Sequence, residues 1–300
     1  EMTSSLVGSE MCIRDRNGQT LHIQAASGQT HTYDGTLGAG TLDVSGAGTQ
    51  VLRSSGADTD LTVSGGNLVL QGKADVDGAH LSYGNLVNNG KLAIQASDNA
   101  LTAVNTTLSV ENATFGSGST TTFTLNTDAD MTASFIKASG DIVIENGAAF
   151  HVTSIPGVNI TWKSGNPMEL TLMELTGAGT IDLGENTLTV GGLFLTYYKN
   201  AHLVQEGDKV VLKAEEQTDN IYAGVADTAN SMAGANLIWE AARHGSVDQA
   251  VTDFLAALND DMVNNPSAAR RSLAAAAGST VTSLGIAQRD ALRDQMNWIR

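Results

Sequence analysis

Cysteine and basic residues are both scarce in this 300-residue chain. The one cysteine, Cys12, lies in the amino-terminal segment TSSLVGSEMCIRDR, so residues 17–300 contain no thiol for a disulfide, a CxxC metal site or a nucleophile. Only 16 residues are Lys or Arg, against 32 Asp and Glu, which gives a formal net charge of −16. Because phosphate backbones are bound by clustered positive charge, this composition argues against nucleic acid as a partner.

Long apolar runs and a recognisable leader are also missing. No stretch approaches the roughly 18 apolar residues that a membrane-spanning helix requires. Residues 1–16 have no basic start, apolar middle or small-residue cleavage site of a secretory signal. They resemble translated adapter sequence of the kind found at the ends of shotgun-sequenced reading frames. We therefore interpret residues 1–16 as a sequencing artefact and leave them out of the argument.

What the chain does contain is glycine, at 32 positions, placed between short segments of alternating apolar and polar residues. Alternation with a period of two predicts β-strands with one buried face. Eight segments follow this pattern: TLDVS (41–45), DLTVS (60–64), NLVLQ (67–71), KLAIQ (91–95), TLSVE (107–111), TFTLN (122–126), DIVIE (141–145) and TLTVG (187–191).

Leading apolar residues recur about every twenty positions, which favours a solenoid over independent hairpins. The positions are Leu42, Leu61, Leu81, Leu101, Phe123 and Ile142. A repeat of this length predicts a parallel β-helix of about ten stacked turns, with a β-sandwich as the rival fold. The segment LVQEGDKVVLKA (203–214), with its turn at Glu206-Gly207-Asp208, predicts a hairpin that closes the stack.

The composition changes near residue 215, where we place the boundary between a β-domain (17–214) and a helical segment (215–300). Seven lysines and one arginine, Arg53, occur in residues 17–214, whereas six arginines and no lysine follow. Apolar stripes predict helices after the boundary. We expect one buried stripe of Ala229, Met232, Ala233, Leu237 and Ala241, and a second of Val247, Val251, Phe254, Leu255 and Leu258.

The repeated tetrapeptide GAGT, at 38–41, 46–49 and 177–180, could be a phosphate-binding loop or a turn between strands. A dinucleotide fingerprint requires a third glycine at the sixth position and a following helix. Asp43 and Val51 occupy the sixth positions, and strand-like segments follow. The turn interpretation is therefore favoured, and no cofactor is predicted.

Catalytic and metal-binding patterns are not found either. The six histidines occur singly, without HxH or HExxH spacing. Three aspartate pairs, Asp58/Asp60, Asp75/Asp77 and Asp128/Asp130, have a spacing that could serve calcium or glycoside chemistry. Beside glycines, such residues usually cap turns. We predict no catalytic, metal or cofactor-binding residues and no enzymatic activity.

Three stretches resemble a known family. SGQTHTYDGTLGAGTLDVSGAGTQVL resembles the passenger repeats of autotransporters, the type V secreted proteins of Gram-negative bacteria. AGANLIWEAARHGSV and AAAAGSTVTSLGIAQRDALRDQMNWIR resemble the linker that enters their carboxy-terminal barrel. The resemblance implies a right-handed parallel β-helix, a helical linker, and an outer-membrane translocator β-barrel after Arg300, with Trp298 near its first strand.

The same resemblance implies a function and one candidate site. It implies a cell-surface location and a structural or adhesive stalk, with host or cell-surface glycans or proteins as possible partners. Some family members are cleaved between two asparagines of the linker, which Asn264-Asn265 matches, although Asn265 is equally explained as a helix cap before Pro266. The alternatives are a β-helical polysaccharide-degrading enzyme or a glycan-binding module.

Overall fold

The computed structural model describes residues 18–75, 78–95, 105–125, 134–154, 168–192, 194–243 and 249–278. Predictions that concern residues 1–16, Leu101, the pair Asp128/Asp130 or Trp298 lie outside these ranges. The described strands are β1 Thr20–Gln24, β2 Thr30–Tyr33, β3 Gly40–Ser45, β4 Thr49–Leu52, β5 Thr59–Val63, β6 Asn67–Gln71, β7 Ala74–Asp75, β8 Gly78–Ser82, β9 Leu86–Asn88, β10 Lys91–Gln95, β11 Thr106–Val110, β12 Ala113–Phe115, β13 Thr120–Leu125, β14 Ile136–Ala138, β15 Ile142–Ile144, β16 Ala148–Ser154, β17 Met168–Leu175, β18 Ile181–Leu183, β19 Asn186–Val190, β20 Tyr198–Glu206 and β21 Lys209–Glu216.

Helices follow the last strand. After the short α1 (Phe194–Tyr197), which precedes β20, come a 3₁₀ turn (Ile221–Gly224), α2 (Ala229–Arg243), α3 (Gln249–Asn264) and α4 (helical residues 266–278). None of the helices in the described ranges is long and apolar enough to cross a membrane.

The strands form three seven-stranded sheets, which are mainly parallel. Sheet I has the order β1-β3-β5-β9-β12-β15-β18, sheet II β19-β16-β13-β10-β6-β4-β2, and sheet III β20-β21-β17-β14-β11-β8-β7. The first six strands alternate between sheets I and II, and from β8 to β20 the chain visits sheets III, I and II in a fixed rotation. The protein is therefore mainly β with carboxy-terminal helices, as the sequence predicts.

All eight alternating segments form strands at or within a residue or two of their expected bounds, and the predicted hairpin is also present. Strands β20 and β21 pair antiparallel, and the turn between them contains Gly207 at φ 58°. Because β21 also pairs antiparallel with β17, the hairpin forms the end of sheet III.

The constant period of about twenty residues was wrong. Leu42 and Leu61 are aligned neighbours in sheet I, but Leu81 lies in sheet III and Phe123 in sheet II. The spacing between aligned residues of sheet I grows from 19 (Leu42 to Leu61) to 39 (Ile142 to Ile181). Each sheet has seven described strands, fewer than the expected ten turns. The connections between the sheets differ in length. Aligned residues therefore keep their register, although the number of residues between them along the chain varies.

The core lies between the three sheets and is built from columns of aligned side chains. Leu42, Leu61 and Leu86 occupy successive strands of sheet I and are fully buried. In later strands phenylalanines occupy core positions. The ring centroids of Phe123 and Phe150 lie 6.4 Å apart in a stacked arrangement. Phe115 meets Phe150 edge-on at 5.4 Å. Columns of this kind bury apolar surface that no single strand pair could cover.

A ladder of polar side chains runs alongside these columns at the turn that leads into sheet I. Asp60 Oδ1 accepts hydrogen bonds from the backbone N–H (2.8 Å) and Nδ2 (2.9 Å) of Asn85. Asn112 Nδ2 donates to Asn85 Oδ1 at 2.8 Å, and Asn112 Oδ1 accepts from Asp141 N–H at 2.7 Å. Asp141 Oδ1 accepts from the N–H of Thr180 (2.8 Å), which lowers the pKa of Asp141. The ladder supplies hydrogen-bond acceptors for backbone N–H groups in turns, where no strand pairing is available.

The GAGT segments precede strands of sheets I and II, so the turn interpretation is confirmed. The copies at 38–41 and 177–180 lead into β3 and β18, and the copy at 46–49 leads into β4. A Cβ atom at Gly177 would overlap the carbonyl oxygen of Ser139, and one at Gly179 would overlap that of Gly140. The glycines therefore permit adjacent turns to approach closely.

The predicted buried stripe of α2 was wrong. Met232 and Leu237 are 39% and 44% exposed, whereas Ile238 and Trp239 are buried on the opposite side of the helix. Trp239 packs edge-on against the buried Tyr222, with ring centroids 6.4 Å apart. The packing of Trp239, the largest apolar residue of α2, thus determines the orientation of the helix, and the predicted stripe faces outward.

The predicted stripe of α3 was partly right, since Leu255 and Leu258 are buried but Phe254 is 37% exposed. Nothing is described for the side chains of Val247 and Val251.

Helices α2 and α4 cross at Gly234. A Cβ atom at this position would overlap the backbone carbonyl of Leu273 in α4, so the two helices touch backbone to backbone. Near this crossing, Arg270 Nε donates to Val225 O at 3.0 Å and lies 3.5 Å from Asp227 Oδ2. The crossing therefore holds α4 against α2 through contacts that require glycine.

We predict that Asn112→Ala lowers the free energy of unfolding by about 1–3 kcal/mol, because it removes two hydrogen bonds of the ladder. Urea denaturation followed by circular dichroism measures the change. Thr187→Ala, at an exposed position of β19, is the control and should change stability by no more than about 0.5 kcal/mol. Equal effects of the two variants would contradict a structural role for the ladder.

We also predict that Gly234→Ala destabilises the protein by about 1–3 kcal/mol through overlap with Leu273. At an uncrowded helix position the same change should stabilise by up to about 1 kcal/mol, so the sign of the effect is diagnostic. Gly278→Ala, where no atom lies within 4 Å of the added Cβ, is the matched control. A higher melting temperature for Gly234→Ala would rule out the crossing.

Candidate functional site

A cavity in the described part of the chain lies where the end of sheet II meets α3. It has a volume of about 780 Å³, within the usual range for ligand sites. We call it the junction groove. The strand β19 forms one wall, the carboxy-terminal end of α3 forms another, and the start of β20 closes the base; its lining includes His151, Leu188, Val190, Tyr198, Asn200, Asn259 and Asn264.

One wall of the junction groove is the edge of a sheet. In the described residues β19 forms ladder hydrogen bonds only with β16, and on its other side it lies close to β20 without pairing with it. The N–H of Gly191 donates to Val152 O at 2.9 Å, toward β16. Because backbone groups alternate along a strand, the N–H and C=O of Leu188 and Val190 point away from β16. Their half-buried side chains end the apolar columns of sheet II.

The opposite wall contains a buried polar network centred on Asn259, whose side chain is fully buried. Asn259 Nδ2 donates to Gly192 O at 2.6 Å and to Thr196 Oγ1 at 2.9 Å. Thr196 Oγ1 in turn forms a 2.9 Å hydrogen bond with the hydroxyl of Tyr222, and burial raises the pKa of Tyr222. Asn259 Oδ1 has no partner. A buried acceptor without a partner has a desolvation cost, which the other hydrogen bonds of this network offset.

The charges around the junction groove are compensated. Lys199 Nζ lies 3.3 Å from Asp219 Oδ2 and donates to Thr218 Oγ1 at 2.9 Å. Asp260 Oδ1 accepts a 2.8 Å hydrogen bond from Asn264 Nδ2. The groove therefore has mixed polarity without a strong charge of either sign.

Asn264 and Asn265, the predicted cleavage pair, occupy the boundary between α3 and α4. Asn265 N–H donates to Asp261 O at 2.7 Å, which continues the helical pattern of α3. Asn265 Oδ1 accepts from Ala268 N–H at 3.3 Å, so the predicted helix cap is present. Cleavage between the two asparagines stays a prediction, and Asn264 additionally lines the junction groove.

A second, smaller cavity of about 350 Å³ lies on sheet III and brings together Glu111 and Lys137. Tyr83, also in its lining, is buried, its pKa is raised by burial, and its hydroxyl donates to Ser54 O at 2.6 Å. An acidic and a basic side chain in one groove could transfer protons to and from a bound substrate. The two residues come from different strand turns, so no local sequence motif joins them.

The remaining predicted residues are dispersed. Asp60 lies in strand β5, and its side chain accepts hydrogen bonds from Asn85 of the turn ladder. His22 forms a 2.8 Å contact with Asp43, and His151 Nδ1 lies 2.9 Å from Thr189 Oγ1. In the described ranges, no cluster of three or more His, Cys, Asp or Glu side chains could hold a metal ion.

Sequence reasoning missed the junction groove, although one signal was available. Asn259 follows Leu255 by four residues and therefore falls on the predicted apolar face of α3. A polar residue on such a face must find a partner or remain unsatisfied. The residues it meets, Gly192 and Thr196, lie more than sixty positions earlier and could not be identified from spacing.

We predict that acidification destabilises the protein through His151, by no more than about 1 kcal/mol because the ring is still partly solvated. Burial lowers the pKa of His151, so the unfolded chain binds the proton more readily. The stability should therefore fall as the pH drops below about 6.5, the unperturbed value for histidine. Denaturation of wild type and His151→Gln between pH 8 and pH 5 tests this: the variant should lose less stability, and parallel curves would contradict the assignment.

Comparison with known proteins identifies no relative of this chain. The chain matches no family model, no curated protein and no solved structure. The function of the chain is therefore inferred from its strand order, the turn ladder, the junction groove and the cavity at Glu111 and Lys137.

Proposed function

We propose that the chain is the membrane-proximal passenger region of a bacterial autotransporter, and that it acts as a structural or adhesive stalk at the cell surface. In this proposal residues 17–214 form a right-handed parallel β-helix closed by a hairpin. Residues 215–300 form a helical linker to an outer-membrane translocator barrel. The stalk itself has no catalytic activity.

The rotation of the chain through three sheets carries the proposal. From β9 to β19 each new strand is added to the next sheet in turn, parallel to and aligned with the strand one circuit earlier. Such an order is what a solenoid requires, since each turn contributes one strand to every face. A sandwich of hairpins would pair consecutive strands antiparallel, which here happens only at β7–β8 and β20–β21 among the described strands.

The closing hairpin supports the proposal that the β-helix ends near residue 200. Strand edges attract other chains, and proteins protect them by covering them or by placing charges on them. The β20–β21 hairpin covers the end of sheet III and carries Lys213, which contacts both Glu206 and Glu169. These hydrogen bonds raise the pKa of Lys213. The helices that follow pack into the same core, so the stack ends where the linker begins.

The surface of sheet II supports an adhesive role. One column of its outward-facing positions is aligned from strand to strand and carries the uncharged residues Val51, Val69, Ala93 and Thr122, whereas flanking positions carry Lys91 and Gln95. An extended face of this kind can contact a ligand at many weak points along its length. Binding would then depend on the length of the face rather than on a single pocket.

The complete coding sequence tests the proposal most directly. We expect a signal peptide and further repeats upstream and about a dozen alternating strands of a barrel downstream. When the complete gene is expressed in a Gram-negative host, protease added to intact cells should digest residues 17–214. A coding sequence that stops at Arg300 without a barrel, or a passenger that is protected in intact cells, would eliminate the proposal.

A polysaccharide-degrading enzyme on the same scaffold is the alternative, favoured by the cavity that contains Glu111 and Lys137. If this cavity is an active site, Glu111→Gln should reduce depolymerisation of a susceptible polysaccharide at least about 100-fold. Replacement of Asp128 and Asp130 by alanine tests the aspartate pair named from the sequence in the same assay. Activity that survives all three changes would remove the enzymatic alternative for these residues.

A further inference from the structure

We propose that the junction groove binds an uncharged small molecule with an apolar body and one hydroxyl group, which pairs with the hydroxyl of Tyr198. The inference goes beyond the proposed stalk, whose adhesion is assigned to the extended face of sheet II, and does not depend on it. It assigns a ligand class to a surface for which the sequence predicted no site.

Apolar side chains that are buried elsewhere in the stack remain partly uncovered in the junction groove. Leu188 is the last member of a column of sheet II and is half-buried, whereas Phe150, its aligned neighbour on β16, is 1% exposed. Three further side chains, those of Val190, Ile221 and Met262, are also only partly buried and pack against the same core. All but Phe150 line the groove. A ligand with an apolar body would remove this surface from water.

The second observation is the hydroxyl of Tyr198, which lies at the base of the groove. Tyr198 is only 9% exposed and packs against Phe194, with ring centroids 6.2 Å apart. Its hydroxyl forms no hydrogen bond with a described residue, yet solvent reaches it, unlike the sealed Oδ1 atom of Asn259. Burial and the nearby carboxylate of Glu216 raise the pKa of Tyr198, so the hydroxyl stays protonated. A hydroxyl of the ligand would supply the missing partner.

The charges at the rim of the groove favour an uncharged ligand. Lys199 Nζ already has Asp219 and Thr218 as partners. Asp260 Oδ1 accepts a hydrogen bond from Asn264. A charged group of a ligand would therefore lose its hydration without gaining an unpaired opposite charge from these side chains. The volume of about 780 Å³ leaves ample room for a substituted aromatic ring.

Nuclear magnetic resonance of the full chain with ¹³C-labelled methyl groups tests this inference. The probe is thymol, an uncharged phenol that carries a methyl and an isopropyl group. At neutral pH it should shift the methyl signals of Leu188, Val190 and Met262 in a saturable manner, because these side chains line the groove.

Two analogues of thymol are the matched ligands. The hydrocarbon p-cymene has the same carbon skeleton without the hydroxyl and should bind at least about 5-fold more weakly, because it cannot pair with Tyr198. Cuminate, in which a carboxylate replaces the ring methyl of p-cymene, should bind at least about 10-fold more weakly than thymol, because its charge finds no partner. Equal affinities for thymol and p-cymene, tight binding of cuminate, or no saturable shift with thymol would overturn the proposal.

A protein variant gives a second measurement. Tyr198→Phe should lower the affinity for thymol at least about 5-fold and leave that for p-cymene unchanged, so that the advantage of the ligand hydroxyl disappears. Tyr33→Phe is the matched control, since the Tyr33 hydroxyl donates to Thr36 O at the opposite end of sheet II, and it should change neither affinity. If Tyr198→Phe does not fold, the three ligands decide the question with the unmodified chain.

Other occupants of the groove have distinct signatures in the free protein. An uncharged nitroxide dissolved in the buffer should broaden the methyl signals of Leu188 and Met262, because the groove is open to solvent. Signals that are protected at every protein concentration would mean that the chain itself fills the groove. Protection that increases with concentration would mean that a second copy covers it. Either result would overturn a site for a small molecule.

Discussion

In-register stacking of parallel strands is the constraint on which the rest of this structure depends. Each strand places its apolar side chains directly above those of the strand one circuit earlier, as Leu42, Leu61 and Leu86 do in sheet I. A shift by one residue would turn these side chains outward and abolish the core. The ladder through Asn85 and Asn112 reinforces the same register, because each side chain bonds only the turn directly adjacent to it. Backbone pairing, core packing and turn polarity therefore all specify one alignment.

This constraint explains which features of the fold could be predicted from sequence. Alternation identifies a strand locally, so segments such as Asn67–Gln71 and Lys91–Gln95 were predicted with their observed bounds. Register acts between residues that are distant in sequence and leaves the connecting length free. The spacing can double, from 19 to 39 residues, without any loss of alignment. A period counted along the chain therefore assigned Leu81 and Phe123 to one column, although they belong to different sheets.

The helices and the junction groove depend on contacts that spacing does not encode. Helix α2 has two possible apolar faces, and a count of apolar positions chose the one with Met232 and Leu237. The structure buries the other face, because Trp239 fills the space beside Tyr222 and Gly234 permits close approach of Leu273. The groove likewise needs a strand edge near residue 190 and a helix near residue 260 to meet. In the sequence, only Asn259, the polar residue on the apolar face of α3, indicated a contact of this kind.

The two ends of a stack pose a physical problem, because its last strands must expose an edge unless something replaces the missing turn. Here the three sheets end differently: sheet III is closed by the antiparallel β21, while β18 and β19 are paired on one side only within the described residues. Helix α3 approaches β19 and is fixed there by Asn259, which bonds Gly192 just beyond the strand. Beside this contact lies the junction groove of about 780 Å³, which α3, β19 and the start of β20 border together. A helix cannot supply the backbone donors and acceptors that a strand edge requires, since its own are used internally. Within the described residues, the last strand of sheet II is therefore covered by side chains of α3 and by the neighbouring β20 rather than by a further paired strand.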